Sequence, residues 1–351
     1  MKKLIGIIAA LAMITGSAYA ADWNFYGSAR VSTFVTDKDS TDNTSFGQDL
    51  QGNARIGATV KASDSLKGGF EYGSSEGNAN IRKLYGEWNF GAGSLLVGQT
   101  YTPANVFYSN QVYDTDTDLL STGGIYSGRK AMLRLKFGGF EIAAVDPQAQ
   151  KEISWNGTKF VDVASVETNM PGIEAAYDAK FNNISLFLTA GYNSYEATVG
   201  TTEYDVDTYF AGVGAKADFG PAFIAANVYA GQNVGHMLWV ATSFESTTDA
   251  ANKGQAKIAN GELVDNDALG FILVAGYKLN DMFSFEAGYG YIETEYDEAG
   301  ADEDEAASYY IQSTITLAPG VYVIPEIGVQ DGEEAGEEKN TYYGAKWQIN
   351  F

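Results

Sequence analysis

The sequence predicts an all-β protein, a transmembrane antiparallel β-barrel of sixteen strands. Three observations predict it. Apolar side chains recur at every second residue through most of the chain, which is the period that places alternate side chains on opposite faces of a strand. Very short turns alternate with long polar loops. After the first twenty residues, no apolar run approaches the ~18 residues that a membrane helix needs.

The first element is an export signal. Met1-Lys2-Lys3 gives a positive end, residues 4–14 form an apolar run, and residues 18–20 read Ala-Tyr-Ala, the small-x-small pattern that signal peptidase accepts. The apolar run is too short to cross ~30 Å of hydrocarbon as a helix. The sequence therefore predicts a signal peptide over residues 1–20 that is cleaved, and a single barrel domain over residues 21–351.

The strands follow from the two-residue period. In the last segment, one face carries four large apolar or aromatic side chains, and the opposite face carries the polar Lys346, Gln348 and Asn350. The four side chains of the first face are Tyr343, Trp347, Ile349 and Phe351. Comparable alternation is found in 23–32, 53–61, 129–137 and 281–292.

The connections supply the strand count. Tight-turn residues occur near 63–65, 91–93, 138–139, 182–183, 220–221, 280–281 and 318–320. Longer polar segments occur at about 37–49, 75–79, 102–128, 147–165, 196–203, 234–264, 295–305 and 331–340. Seven turns and eight loops join sixteen strands, although 140–170 and 196–210 are weakly patterned. Short turns at one end and long loops at the other are typical of outer-membrane barrels, and closure leaves no edge strand exposed to lipid.

The main alternative fold is a soluble β-sandwich. Its strands also alternate, but they average only ~5–6 residues, whereas tilted membrane strands need ~9–11. The patterned runs here are about 10 to 14 residues long. Aromatic residues also cluster near the ends of many runs, as in the aromatic girdles at the two membrane interfaces. The pattern therefore favours the barrel.

Composition excludes several classes of function. The chain has no Cys, which excludes a disulfide scaffold, a thiolate metal site and a Cys nucleophile. Its one histidine, His236, has no acid and serine pattern around it, so an acyl-transfer site of the Ser-His-Asp type is not expected. The formal net charge of −23 argues against a nucleic-acid partner, which calls for Lys and Arg. We predict that the protein is not an enzyme.

At this point the mature chain resembles the Gram-negative trimeric porins. The alternating C-terminal segment that ends on Phe351 resembles the insertion signal read by the outer-membrane assembly machinery. Residues 98–103 read Gly-Gln-Thr-Tyr-Thr-Pro, similar to the Gly-Arg-Gln-Tyr-Thr-Pro of many porins. Gln99 stands where relatives often have Arg, and the Pro-Glu-Phe-Gly-Gly run of enteric porins is missing.

The resemblance implies a location, an assembly and a constriction. It implies a multi-pass protein of the outer membrane, a homotrimer in contact with lipid and lipopolysaccharide, and a last strand that pairs with the first. In this family the loop after strand five, here about 102–128, folds back into the barrel and narrows it. Small outward residues on the first two strands, Gly27, Ala29, Ala54 and Ala58, would permit close subunit contact.

The alternation places a set of basic side chains on the lumen side. They are Arg30, Arg55, Lys83, Lys130 and Arg134. The third loop carries three acids, Asp114, Asp116 and Asp118. A basic wall that faces an acidic loop imposes a transverse field across a constriction, and a low-dielectric wall focuses it.

We therefore expect a porin that passes ions and small hydrophilic solutes by passive diffusion. Inward Glu71, Glu87, Glu286 and Glu326, together with the acidic third loop and the net charge, predict weak cation selectivity. The alternative is a substrate-specific channel for sugars or peptides. Inward Tyr26, Phe34, Tyr85 and Tyr310 form no evident track for such a substrate.

The acidic clusters raise the question of metal binding. Residues 114–118 alternate acids as EF-hand loops do, but the sixth and twelfth positions are Leu119 and Ile125 rather than Gly and Glu. An EF-hand is therefore not expected at 114–118, a looser metal site there is left open, and no cofactor is predicted. Acids of the outer loops could bridge through Ca²⁺ or Mg²⁺ to lipopolysaccharide phosphates, as outer loops of related barrels do. The candidates are Asp302, Asp304, Glu333 and Glu337.

Overall fold

The computed structural model describes residues 21–351 except 40–42, 76–77, 151, 156–158, 243, 245–252 and 333–338. The predicted signal peptide over residues 1–20 lies outside the described residues and stays a prediction. The strands are β1 (Asp22–Lys38), β2 (Asn43–Leu50), β3 (Arg55–Lys61), β4 (Leu66–Ser75), β5 (Asn78–Asn89), β6 (Ser94–Tyr101), β7 (Arg129–Phe137), β8 (Phe140–Val145), β9 (Glu152–Trp155), β10 (Lys159–Asp162), β11 (Ser165–Glu167), β12 (Gly172–Phe181), β13 (Ile184–Val199), β14 (Thr202–Phe219), β15 (Ala222–Gln232), β16 (Lys257–Ala259), β17 (Glu262–Val264), β18 (Asn266–Lys278), β19 (Phe283–Tyr296), β20 (Asp304–Ala318), β21 (Val321–Asp331) and β22 (Lys339–Asn350). A 3₁₀ helix spans Val234–His236.

Eighteen of these segments form one closed antiparallel sheet. β2 and β3 both pair with β1 and together make the second barrel strand, and β11 and β12 both pair with β13 and make the eighth. The barrel therefore has sixteen strands. The predicted fold class and strand count are confirmed.

The barrel closes through its two chain ends. β22 pairs with β1, with Trp347 opposite Val31, and Phe351 exchanges two backbone hydrogen bonds with Gly27 at 2.6 and 3.0 Å. The Phe351 ring packs over Gly27, where a Cβ would lie 2.4 Å from the ring and would force it to move. Four side chains of the last segment are 50–73% exposed on the outer face: Tyr343, Trp347, Ile349 and Phe351. The predicted closure is confirmed, whereas recognition of this segment by the assembly machinery stays a prediction.

The outer face of the barrel is apolar. Large exposed side chains include Trp23, Phe25, Trp88, Phe181 and Phe219. Such a surface suits lipid, with aromatic rings where the hydrocarbon meets the headgroups. Among the described residues, no helix is long and apolar enough to cross a membrane.

Two predicted loops are mostly strand. β1 continues to Lys38 and β2 begins at Asn43, so most of 37–49 is a paired hairpin. β13 and β14 pair as far as Val199 and Thr202, which leaves a two-residue turn in place of the loop predicted at 196–203. These hairpin ends lack the apolar outer face that identifies a membrane strand. The β1–β2 end is polar on both faces, whereas β14 exposes Glu203 and Asp205 and buries Tyr204 and Val206 on its inner face.

The loops predicted at 147–165 and 234–264 also contain strands. They contribute a separate four-stranded sheet of β10, β9, β16 and β17, in which β16 runs parallel to β9. Ile153 and Ile258 from this sheet are buried against Tyr195 and Val206 of the barrel wall. Burial of this apolar cluster holds the two loops together beyond the barrel strands.

The segment 102–128, between β6 and β7, packs inside the barrel. On one side, Val106 and Ile125 of this segment are buried with Phe210 and Tyr229 of the wall and Met237 of the β15–β18 connection. This cluster fills the interior next to β14 and β15. The open space inside the barrel therefore lies on the other side of the segment, next to β1, β3 and β5.

Candidate functional site

The tip of loop 3 (residues 102–128) is tied to the far wall by two carboxylates. Glu286 of β19 accepts hydrogen bonds from the backbone N and the Nδ2 of Asn110, both at 2.7 Å. Glu326 of β21 accepts from the backbone N of Val112 at 2.7 Å and of Tyr113 at 3.0 Å. A loop whose buried amides would otherwise lack partners is thereby held across the lumen.

Neutral contacts complete the tether. Gln111 Nε2 donates to the Tyr342 hydroxyl at 2.7 Å, and the Tyr113 ring stacks on Tyr342 with centroids 3.7 Å apart. The hydroxyls of Ser109 and Tyr310 are 2.8 Å apart. The inward path predicted for this loop is therefore what the structure shows, although none of these partners was identified from the sequence.

Lys130 belongs to the base of loop 3 and not to an open wall. Its Nζ donates to Ser127 Oγ at 2.8 Å and lies 3.7 Å from Glu174 Oε1. Glu174 also accepts the backbone N–H of Ala104 at 3.0 Å. Lys130 is only 9% exposed. The alternation correctly places it inward, but the loop covers it, so it is not part of the water-lined wall.

Asp116 is the acid that meets the basic wall. Its carboxylate lies 2.7 Å from Arg30 Nη1 and 3.0 Å from Lys346 Nζ. The amide of Asn53 also donates to it at 2.7 Å. The sequence predicted that acids of loop 3 would face a basic wall that includes Arg30, and the structure places Asp116 beside Arg30.

Asp114 and Asp118 flank this ion pair. Asp114, Asp116, Asp118 and Leu119 all have left-handed backbones, with φ between 53° and 62°, a conformation that Asp tolerates better than most residues. Burial and the nearby Asp116 raise the pKa of Asp118 well above its usual range, and burial raises the pKa of Asp114 as well. At a given pH, these two acids therefore carry less negative charge than solvent-exposed Asp side chains.

Beside loop 3 lies a polar cavity of about 300 Å³. Four arginines and two acids line it: Arg30, Arg55, Arg82, Arg129, Asp116 and Asp118. Of the five basic residues predicted for the wall, Arg30 and Arg55 line this cavity. Arg134 instead lies 3.5 Å from Glu141 and is not part of the cavity lining.

Arg82 was missed because of a β-bulge. The pairing of β4 with β5 shifts register between Glu71, which is opposite Lys83, and Tyr72, which is opposite Ile81. Arg82 is left without a pairing partner, and both Arg82 and Lys83 reach Glu71, at 2.8 and 3.3 Å. A bulge breaks the two-residue period locally, so strict alternation identified only Lys83, which does not line the cavity.

Arg129 was missed because it falls on the outward face in the alternation of β7. It follows Gly128, whose φ of +85° interrupts the extended backbone. Its Nη1 donates to the Tyr101 hydroxyl at 3.0 Å, and its guanidinium carbon lies 5.1 Å from the centre of the Tyr101 ring. The glycine before the strand was the only signal in the sequence that the alternation could fail there.

The inward acids are largely neutralised. Glu71 is surrounded by Arg55, Arg82 and Lys83 at 2.8–3.6 Å, and Glu87 lies 3.2 Å from Lys67. Glu286 and Glu326 accept hydrogen bonds from loop 3, as described above. The cavity lining therefore carries four arginines and two aspartates, and Glu71 behind the lining offsets part of the charge of Arg55 and Arg82.

No metal site emerges from the described acids. Within this part of the chain, no group of three or more His, Asp or Glu side chains could hold a metal ion. Asp302 and Asp304 lie where the chain enters β20, while Glu333 and Glu337 lie outside the described residues. Their bridging to lipopolysaccharide through divalent ions stays a prediction.

A closed sixteen-stranded barrel with a lipid-compatible exterior and a polar interior defines an outer-membrane channel. A family model described as Gram-negative porin matches residues 8–335, and the chain belongs to that family. It is therefore a channel of the Gram-negative outer membrane and not an enzyme. A search among curated proteins gives no match.

Solved structures show the same fold. The outer membrane channel DcaP of Acinetobacter baumannii is 16% identical, with a TM-score of 0.74 over 94% of this chain and 97% of that one. The trimer form of OmpT of Vibrio cholerae is 18% identical, with a TM-score of 0.58 over 93% and 99%. An anion-selective porin from Comamonas acidovorans is 12% identical, with a TM-score of 0.58 over 94% and 100%. At these identities the likeness is evidence for the fold alone.

Proposed function

We propose that the protein is a general-diffusion channel through which ions and small hydrophilic solutes cross the outer membrane passively. The observation that carries the proposal is loop 3, tied across the lumen by Glu286 and Glu326 and leaving a polar cavity beside it. A barrel of sixteen strands is wide enough for an aqueous channel. Liposome swelling with sugars of increasing size tests the proposal: rates should fall with solute size and should not saturate with concentration.

The ion preference is set where the passage is narrowest and its field is focused. The net charge of the whole chain predicts weak cation selectivity. Four arginines face two aspartates in the cavity, however, and the pKa of one of them, Asp118, is raised. We therefore propose a preference for anions. A reversal potential in a KCl gradient decides between these two predictions, because they differ in sign.

The predicted homotrimer is part of the proposal. The trimer form of OmpT shows that a protein with this fold can assemble in that way. On the outer face of β1–β4, a shallow groove of about 330 Å³ is lined by Ala29, Ala54, Ile56, Tyr72 and Phe351, where small side chains permit close approach of a neighbour. Chemical cross-linking in detergent should yield trimers. Lipid, lipopolysaccharide and the assembly machinery remain the expected partners.

The alternative of a sugar channel finds no support in the predicted inward aromatics. Phe34 and Tyr310 are buried against loop 3, and the Tyr26 hydroxyl donates to Glu71 at 2.9 Å. Three of the four rings that could have formed a track for sugars are thus engaged with the protein. Swelling rates that saturate with a sugar would instead support the substrate-specific alternative.

A further inference from the structure

A cluster of four aromatic rings borders the cavity beside loop 3. Tyr101 ends β6, Phe107 and Tyr126 belong to loop 3, and Trp239 belongs to the β15–β18 connection. Neighbouring ring centroids are 5.0 Å (Tyr101 and Phe107), 6.0 Å (Phe107 and Tyr126) and 6.1 Å (Tyr126 and Trp239) apart. Phe107 and Trp239 are 45% and 43% exposed. Exposed apolar surface next to a polar passage is typical of a ligand site.

Trp239 is held in place by backbone hydrogen bonds to loop 3. Its N–H donates to Tyr126 O at 2.9 Å, and the N–H of Ala241 donates to Ser121 O, also at 2.9 Å. Lys130 Nζ donates to Met237 O at 3.3 Å. The β15–β18 connection therefore runs along loop 3 and presents an indole ring to the cavity from a fixed backbone.

Arg129 supplies a charge beside the rings. Arg30, Arg55 and Arg82 each lie within 2.7–3.6 Å of a carboxylate oxygen. Arg129, in contrast, makes no ion pair with the described residues, and its Nη1 bonds only to the Tyr101 hydroxyl. A guanidinium has five N–H donors in a fork that matches a carboxylate. Most of the Arg129 donors are therefore available to a solute.

The aromatic rings and Arg129 together favour one class of solute. A planar ring can stack on Trp239 or Tyr126, and a carboxylate on the same molecule can take paired hydrogen bonds from Arg129. The three further arginines of the cavity disfavour a cationic solute. The volume of about 300 Å³ lies at the lower end of small-molecule sites, which span about 300–1,000 Å³.

We propose that this cavity is a binding site for small aromatic carboxylates, with the carboxylate on Arg129 and the ring against Trp239. The inference rests on the proposed channel function, because the solute reaches the cavity through the lumen. A solute bound at the constriction would block the flow of ions for as long as it stayed bound.

The test uses the full-length mature protein in planar bilayers, with KCl as the current carrier and sodium benzoate as the probe. Benzoate should block the current at a lower concentration than acetate, which lacks the ring, or benzyl alcohol, which lacks the charge. Arg129→Gln should weaken the block about tenfold, because a hydrogen bond to a charged group is worth about twice a neutral one. Trp239→Ala should weaken it about threefold to tenfold through lost ring contact, and Trp239→Phe should restore most of the block.

Lys136→Gln is the matched control, since Lys136 lies on the same strand and points inward but pairs with Glu141 and does not line the cavity. Its block by benzoate should equal that of the wild type. KCl conductance in each variant shows that the barrel has folded. Benzoate block that is unchanged in both Arg129→Gln and Trp239→Ala would overturn the inference and leave the channel function standing. A wild type with no KCl conductance would overturn the proposed function, and the inference with it.

Discussion

Releasing the tip of loop 3 should widen the channel. The perturbation is the double variant Glu286→Ala and Glu326→Ala, which removes the acceptors of four hydrogen bonds from Asn110, Val112 and Tyr113 at 2.7–3.0 Å. The anchors at the base of the loop, such as the Glu174 bond to Ala104, remain. The contacts of Gln111 and Tyr113 with Tyr342 and of Asp116 with Arg30 remain as well. The double variant should therefore loosen the tip without detaching the loop from the wall.

The expected size of the effect follows from the free energy of the four hydrogen bonds. The four bonds together contribute about 4–9 kcal/mol, taking about 0.5–1.5 kcal/mol for a hydrogen bond to a neutral group and about 1.5–3 kcal/mol for one to a charged group. A change of about 5.5 kcal/mol is enough to move a two-state equilibrium from 1:99 to 99:1. Each single variant removes two of the four bonds, about 3 kcal/mol, and should show a smaller effect than the double variant.

Single-channel conductance and liposome swelling measure the outcome. The double variant should conduct more KCl, show current fluctuations as the tip moves, and admit sugars that the wild type excludes. Glu87→Ala is the control, because Glu87 points inward but pairs with Lys67 and has no hydrogen bond to loop 3 among the described contacts. An unchanged conductance and an unchanged size limit in a folded double variant would refute the role assigned to the two carboxylates.

Three further predictions concern the charges of the site and the adjoining connection. Asp116→Asn removes the partner of Arg30 and should shift the KCl reversal potential towards anions; a shift towards cations would contradict the charge count. Raising the pH through the pKa of Asp118, which burial and Asp116 hold above its usual range, adds a negative charge and should shift the potential towards cations, but not in Asp118→Asn. Burial lowers the pKa of His236 from 6.5 to about 4, so its neutral form stabilises the fold fully above pH 6.5. That stability, on the order of 3 kcal/mol, should be lost progressively as the pH falls from 6.5 to and through about 4. Protection of the amides of 234–242 from hydrogen exchange, measured relative to their intrinsic exchange rate at each pH, should then fall, and unaltered protection would exclude this effect.

The fold could be predicted almost completely from the sequence, because a membrane barrel repeats one local rule. Lipid on one face and water on the other impose the two-residue period on every spanning strand. The strand count followed from the alternation of short turns and long loops, and the closure through the last strand was implied by the resemblance to porins. The rule applies only within the membrane, which explains why strand ends such as those of β13 and β14 were interpreted as loops.

The site was predicted in part. The structure brings Arg30 and Asp116 together beside loop 3, and both had been proposed from alternation and loop composition. Arg82 was missed because a β-bulge shifts the local period, and Arg129 was missed because Gly128 does so. Trp239 escaped because its position depends on hydrogen bonds between two loops that are more than a hundred residues apart along the chain. Such tertiary contacts leave no periodic signal.

The central claim is that solutes pass through water beside loop 3. The chain has no Cys, so single cysteines can be introduced on a clean background. Thr115→Cys places a thiol on loop 3 at the cavity, and Leu133→Cys places one on the lipid-facing surface. A charged, membrane-impermeant thiol reagent added during recording should reduce the current of Thr115→Cys channels and leave Leu133→Cys channels unchanged. If mass spectrometry shows that position 115 is modified while the current stays the same, the passage does not run past loop 3.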